Sequence, residues 1–382
     1  MRKNRERSHC SLKTAVITLS TLTVSLWLCL SMVRAQSGSE HPIRWQDCLS
    51  QSDDWYGGLE ATRIAGNVIR YQRASGGWPK NIDMAQGLSD RENVELAAHK
   101  DDLDATIDNA ATTTQIAYLA RVFGATRQKR LRDSALSGID YLVSAQYDNG
   151  GWPQYYPRPE GYHRHITFND DAMIHVMDLL DAVAHRHPVY RFVDERRRIA
   201  CERGVRQGVE CILACQVTID GRPTAWCAQH DEKSFEPASA RTYEKISLSG
   251  METVGIVRFL MRQENPDSSV IAAINNAVAW LEKVKLAGIR VEQRTGADLP
   301  NGRDRVVVQD AGATALWARF YEIGSNRPIF SGRDGVVKYS LAEIEAERRN
   351  GYQWYGTAPA KLLAQEYPAW CERIAATRNR RD

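Results

Sequence analysis

The chain repeats itself at a fixed period, and that period restricts its fold more than any other feature. "GGWP" occurs at Gly76 to Pro79 and again at Gly150 to Pro153, which places Trp78 and Trp152 at equivalent points of two copies. The same interval, taken once more, leads to Trp226 in "DGRPTAWC". An amphipathic stretch precedes each tryptophan: "RIAGNVIRYQRAS", "ALSGIDYLVSAQYDN" and "RGVRQGVECILACQVTID". Their apolar residues recur three and four apart, the helical period. Second helical stretches follow, from Asp108, Asn169 and Gly250. A fourth copy begins near Ile271, with no tryptophan in its turn. The unit is helix, Gly-rich turn, polar loop, helix. Helix pairs at a fixed period predict a solenoid or closed ring. The fold class expected is therefore all-α, with the Trp-bearing loops gathered at one rim of a cleft. The best strand signal is "RVVVQD" from Arg305, which suggests a short β-hairpin near 303–310.

The first 35 residues are set aside from this reading. Met1 to Lys13 is basic, Ala15 to Val33 is an apolar run, and Val33-Arg34-Ala35 offers small residues where a signal peptidase cuts. That is the pattern of a secretory signal. The run from Ala15 to Val33 is close to membrane-spanning length, so an uncleaved anchor is the competing reading. Its Ser and Thr content favours cleavage and a secreted or periplasmic protein. Residues 36–58 read as a leader and 59–382 as one catalytic domain. The first 35 residues carry six Lys/Arg and one Glu, so the remainder has net charge −2 against +3 for the whole chain. The basic balance thus belongs to the signal and argues against nucleic-acid binding. Six cysteines remain: Cys48, Cys201, Cys211, Cys215, Cys227 and Cys371. An even count in an exported chain permits disulfides, although small apolar core thiols are the simpler reading for most.

The loops carry the chemistry. Asp108 and the pair Asp170-Asp171 open second helices, where one aspartate serves as an N-cap. Asn169-Asp170-Asp171 supplies more carboxylate than a cap needs, and hard oxygen donors suit Ca²⁺ or Mg²⁺. Arg241 in the third loop and Arg303, Arg305 and Arg319 in the fourth offer guanidinium groups. Arg319 lies in an apolar run between Trp317 and Phe320, so it belongs to a buried ion pair or a cleft. Acids for a cation beside arginines for carboxylates describe a site for an anionic ligand. Tyr162, His163 and His165 are further candidates, with ordinary loop packing or solvation as the alternative. The turn tryptophans read as plugs between helix pairs. No P-loop, GxSxG, HExxH or strand-borne GxGxxG is present, which removes the commonest nucleotide and hydrolase chemistries.

The runs "LDATIDNAATTTQIAYLARVF", "YDNGGWPQYYPRPEGYHRHITFNDDAMIHVM", "ARTYEKISLSGMETVGIVRFLM" and "LWARFYEIGSNRPIFSGRDGVVKYSLAEIEAERRNGYQWYG" resemble the pectate lyases of polysaccharide lyase family 10. The resemblance extends from about residue 60 to 371. It implies an incomplete (α/α) toroid and Ca²⁺-assisted β-elimination on polygalacturonate by a monomer. It makes Asp108 and Asp170 calcium-associated, with Asp171 and Asn109 as their neighbours, and Arg241 the base. Arg319 and Arg305 would be contacts to substrate carboxylates, and His165 and Tyr162 would line the substrate site. Arg241 would need its pKa, ordinarily above about 12, lowered by Ca²⁺ and neighbouring cations. The competing reading is a glycoside hydrolase on the same helical ring, with Asp108 and Asp170 as acid and base.

Overall fold

The computed structural model describes residues 43–378. The proposed signal segment lies outside the described residues. The described residues from Trp45 onward form one compact unit, which includes part of the expected leader. Trp45–Ser50 and Asp53–Gly57 are 3₁₀ turns that bury Cys48 and Tyr56, and the Trp45 ring meets Tyr118 edge-on at 5.3 Å.

The helix pairs fall into two rows. The outer row is α1 (Leu59–Tyr71), α4 (Lys129–Ser144), α6 (Glu195–Ala214) and α8 (Ser268–Lys283). The inner row is α3 (Thr113–Thr126), α5 (Ala172–Ala184) and α7 (Glu252–Arg262). A short helix α2 (Asp90–Ala98) with a Ser89–Glu92 capping box lies outside both. Each inner helix packs on its outer partner and on the next inner helix, which buries an apolar stripe on two sides.

The tryptophans lock this arrangement. Trp78, Trp152 and Trp226 are fully buried. Their indole N–H groups donate to Val68, Leu142 and Ile212 carbonyls near the ends of the outer helices, at 2.7–2.8 Å. The turns also require glycine. Gly76 and Gly150 adopt φ +98° and +90°, and a Cβ there would lie 2.5 and 2.1 Å from the Ser137 and Gln207 carbonyl oxygens of the next outer helix. The fourth copy does have its plug. Trp317 is buried and donates to the Leu281 carbonyl at 2.8 Å. It lies far from its helix in sequence because a hairpin intervenes.

The expectation of an all-α toroid is corrected: the chain mixes helix and strand. Six two-stranded antiparallel sheets occur among the described residues. The longest pairs Ile289–Thr295 with Arg303–Gln309 over seven residues, so the strand signal at Arg305 is one arm of a longer hairpin. Three sheets join different loops: Ile166–Thr167 with Gln229–His230, Leu248–Ser249 with Phe320–Tyr321, and Trp317–Ala318 with Tyr355–Gly356. The physical reason is that these loops are buried, and their backbone N–H and C=O groups must find partners. Neighbouring loops provide them. A helix period carries no record of such pairings.

His230 illustrates the cost of that burial. It is fully buried; its Nε2 accepts from Cys227 N–H (3.1 Å) and its Nδ1–H donates to the Phe235 carbonyl (2.7 Å). Burial pushes its pKa down to about 4, and a second ring proton would face the Cys227 N–H. The unfolded chain takes up a proton below pH ~6.5 that the native fold refuses until about pH 4. Stability therefore falls as pH drops across that window. Thermal unfolding of His230→Gln should show a shallower loss over the same window than the parent.

Candidate active site

Two turns that open inner helices are built alike. Asp108–Ala110 precedes α3 and Asn169–Asp171 precedes α5. In each, two successive residues hold left-handed φ: Asn109 (+51°) and Ala110 (+56°), then Asp170 (+51°) and Asp171 (+57°). Asn and Asp tolerate this conformation better than most side chains, at a cost of order 1 kcal/mol. By conformation Asp108 corresponds to Asn169, and Asn109 to Asp170. The two turns carry the same amide–carboxylate pair in opposite order. The two turns are in contact.

Asp108 is buried and accepts from Lys80 Nζ. Burial alone would lower the pKa of Lys80, but the Asp108 hydrogen bond and charge raise it. The same ammonium lies 5.6 Å from the Tyr155 ring centre. Asn109 Nδ2 donates to Asn81 Oδ1 at 2.8 Å. Lys80 follows directly from "GGWP", so the structural turn also sets a cation against Asp108.

Asp170 is joined to a buried ionic group. Arg319 Nη2 donates to Asp170 Oδ1 (2.8 Å), Asn169 Oδ1 (3.1 Å) and Glu252 Oε1. Asp170 N–H also donates to Glu252 Oε1 at 3.3 Å. Arg319 and Glu252 are 6% and 3% exposed. Burial opposes the Arg319 charge, but Glu252 and Asp170 hold its pKa well above the ordinary value. The Arg319 guanidinium is enclosed and its Nη2 holds the Asn169–Asp170 turn to α7, while its buried Nε has no hydrogen-bond partner among the described residues.

Asp171 faces elsewhere. Its Oδ1 is buried without a hydrogen-bond partner and sits where a Cβ on Gly255 would be, 2.1 Å away. Gly255 lies one turn along α7 from Glu252. Burial, followed by the charges of Glu252 and Asp170, pushes the Asp171 pKa up to about 7. Asp108, Asp170 and Asp171 do not gather their oxygens round one point. Among the described residues, the potential ligands that do lie within 4.8 Å of one another are His165, Asp231 and Glu232. There His165 Nδ1 lies 3.3 Å from Glu232 Oε2, and Arg164 pairs with the other Glu232 oxygen. His165 is thus held in a separate charge group.

Arg241 packs beside a pair of tyrosine rings that meet edge-on, with its guanidinium carbon 5.1 Å from the Tyr243 centre and 5.9 Å from that of Tyr352. Its Nε and Nη2 donate to Glu244 at 2.9 and 2.5 Å. Its side chain is 42% exposed, that of Glu244 only 7%. Glu244 raises the Arg241 pKa further above its ordinary value, the reverse of the expected lowering, because the nearest charge is a carboxylate. Tyr352 ties the parts together. Its hydroxyl donates to Glu244 (2.8 Å), its ring lies 4.8 Å from Arg319, and its carbonyl accepts from Arg305 Nη1 (3.0 Å). Tyr162, raised in pKa mainly by burial, senses the charges of Arg241, Glu244 and Lys80. His163 senses Lys80, Asp108 and Arg241. Both side chains are thus within electrostatic reach of Lys80 and Arg241. Arg305 lines a cavity of about 740 Å³ with Asp310, Arg349 and Tyr352.

Lys80, Glu244, Glu252 and Tyr352 are the members that sequence reasoning passed over. Glu244 alone had a local signal, standing three residues after Arg241 in "ARTYE". Removing Glu252 by Glu252→Ala leaves Arg319 buried with half its countercharge, and such loss costs about 3–5 kcal/mol. Urea unfolding should show that loss, whereas Asp170→Ala, at a half-exposed carboxylate, should cost much less.

A family model described as pectic acid lyase matches residues 72–363. Among solved structures, a variant of the family 10 polysaccharide lyase from Cellvibrio cellulosa in complex with trigalacturonic acid is 31% identical, with TM-score 0.71, covering 84% of this chain and 93% of that one. Another structure of the family 10 lyase from that organism is 32% identical, with TM-score 0.70, covering 81% and 93%. No curated protein matches the chain. With three-quarters of its length inside one family model and the clustered acids and guanidinium groups described above, the chain belongs to the pectic acid lyase family and is a polysaccharide lyase.

Proposed function

We propose that the enzyme cleaves α-1,4-linked polygalacturonate by β-elimination, with Arg241 as the group that removes the C5 proton. The observation that carries the reading is the contrast between two arginines. Arg319 is enclosed and paired with Glu252 and Asp170, whereas Arg241 is half-exposed, with the Tyr243 and Tyr352 rings together on one side of its guanidinium. The trigalacturonic acid complex of the Cellvibrio enzyme supports the substrate class.

The residues suit calcium through their donor chemistry. Asp108 and Asp170 bring hard carboxylate oxygens on adjoining turns, and the Asp170 side chain is 42% exposed. Those two would hold Ca²⁺, with a substrate carboxylate completing the set; Asp171, wedged against Gly255, is outside it. When bound, the ion would withdraw charge from a uronate carboxylate and so acidify the adjacent C5–H. Lys80 holds the Asp108 carboxylate and Arg319 holds Asp170 in place. Tyr162 would flank the sugar ring, with Asn109 beside Asp108. Arg305 would meet a further uronate at the edge of its cavity, and His165 is left to its pairing with Glu232.

In the reaction the neutral form of Arg241 accepts the C5 proton. The C–H electrons form the C4–C5 double bond, the C4–O bond breaks, and water protonates the leaving oxygen. Arg241 is mostly protonated at neutral pH, so the rate should rise with pH as its neutral fraction grows. The N-terminal segment supports export, and the folded enzyme is read as acting alone on homogalacturonan outside the cytoplasm.

The enzyme supplied with polygalacturonate and Ca²⁺ should generate the ultraviolet absorbance of a 4,5-unsaturated product, and a chelator should suppress it. Arg241→Lys should lose at least about 10²-fold in kcat, while Asp170→Asn should chiefly raise the Ca²⁺ concentration needed. Reducing ends without unsaturated product would point to hydrolysis and end the elimination reading. Retention of most of the rate in Arg241→Lys would end the base assignment.

A further inference from the structure

We propose that Glu244 is a positioning residue for Arg241, fixing the guanidinium so that one nitrogen, Nη1, is presented to the substrate. This rests on the reading of Arg241 as the base. The Glu244 carboxylate is 6% exposed and accepts four hydrogen bonds. Three come from Arg241, through its backbone N–H (3.2 Å), Nε (2.9 Å) and Nη2 (2.5 Å). The fourth comes from the Tyr352 hydroxyl at 2.8 Å. A tight turn brings the two residues together, with Glu244 N–H donating to the Arg241 carbonyl at 2.8 Å.

That geometry leaves Arg241 little freedom. A guanidinium gripped side-on by a carboxylate is fixed in its plane, and here the Tyr243 and Tyr352 rings, 5.4 Å apart, pack together against one side of it. Nη1 is the one Arg241 side-chain nitrogen with no hydrogen bond among the described residues, and the side chain is 42% exposed. The proton leaving C5 would therefore arrive at Nη1, with the electron movements already given. Holding a base to a fraction of an ångström is what proton abstraction from carbon requires.

The other charged or titratable groups facing Arg241 are Tyr162 and His163 from the loop after Trp152, Tyr243 and Tyr352, and Arg348 and Arg333 beside the Tyr243 ring. Glu244 is thus the single carboxylate against Arg241 among the described residues. It stabilises the guanidinium charge, and its removal should lower the pKa of Arg241. The pair exchanges ease of deprotonation for a defined direction of attack.

Glu244→Gln keeps the shape and removes the charge. Its kcat should fall by about 10²-fold with KM little changed. Its pH–kcat profile should level off about one pH unit or more below that of the parent, which continues to climb at the alkaline end. Tyr352→Phe keeps the charge pair, so kcat should fall less and the profile should not move. Parent-like kcat in Glu244→Gln overturns the proposal. So does a lowered kcat with an unmoved pH profile and reduced thermal stability, the signature of a purely structural carboxylate. A parent enzyme that forms no unsaturated product, or an Arg241→Lys variant that keeps its rate, would instead overturn the underlying base assignment.

Discussion

One buried guanidinium organises the floor of the cleft. Arg319 reaches three acceptors on two elements, Asn169 and Asp170 in one turn and Glu252 at the start of α7. Its backbone also ties two other loops, because Arg319 N–H donates to the Trp354 carbonyl and its own carbonyl accepts from Gly250 N–H. A buried charge is tolerated only when paired and hydrogen-bonded. Those partners can be supplied only if α7, the Asn169–Asp170 turn and the Phe320 strand meet at one place. The ion pair is thereby a geometric constraint on the loops as much as a local attraction.

A second layer rests on that floor. Tyr352 lies against Arg319 and hydrogen-bonds to Glu244, which in turn grips Arg241. The two arginines share a tyrosine but have separate tasks, one closed off from solvent and one open to it. Lys80 and Asp108 form a further pair, whose Lys80 charge reaches Tyr162 and His163. The cleft is therefore lined by cations that already have carboxylate partners. Such a site avoids the cost of isolated buried charge and still presents a polar surface to an acidic polysaccharide.

The sequence was informative about periodic features and poor on pairings. The tryptophan period located three of the plugs at Trp78, Trp152 and Trp226, each donating to an outer-helix carbonyl. Trp317 escaped because the 289–309 hairpin separates it from its helix. Asp171 looked like Asp170 in sequence, yet left-handed backbone at both residues turns the two carboxylates to different neighbours, Arg319 for one and Gly255 for the other. The short strands were missed because each is two residues long and is held by a loop distant in sequence.

What the sequence alone determined was local and repetitive: helix pairs, glycine turns with a tryptophan plug, and loops carrying Asp108, Asp170, Arg241 and Arg319. Those follow from side-chain periodicity and backbone preference, which act over a few residues. Its long motifs also carried the family. Only the tertiary structure decided which guanidinium is enclosed and which is open, that Glu244 and Glu252 are their partners, and that strands stitch the loops. These outcomes depend on burial, and burial is a property of neighbours brought together across as many as 150 residues, as Arg319 and Asn169 are.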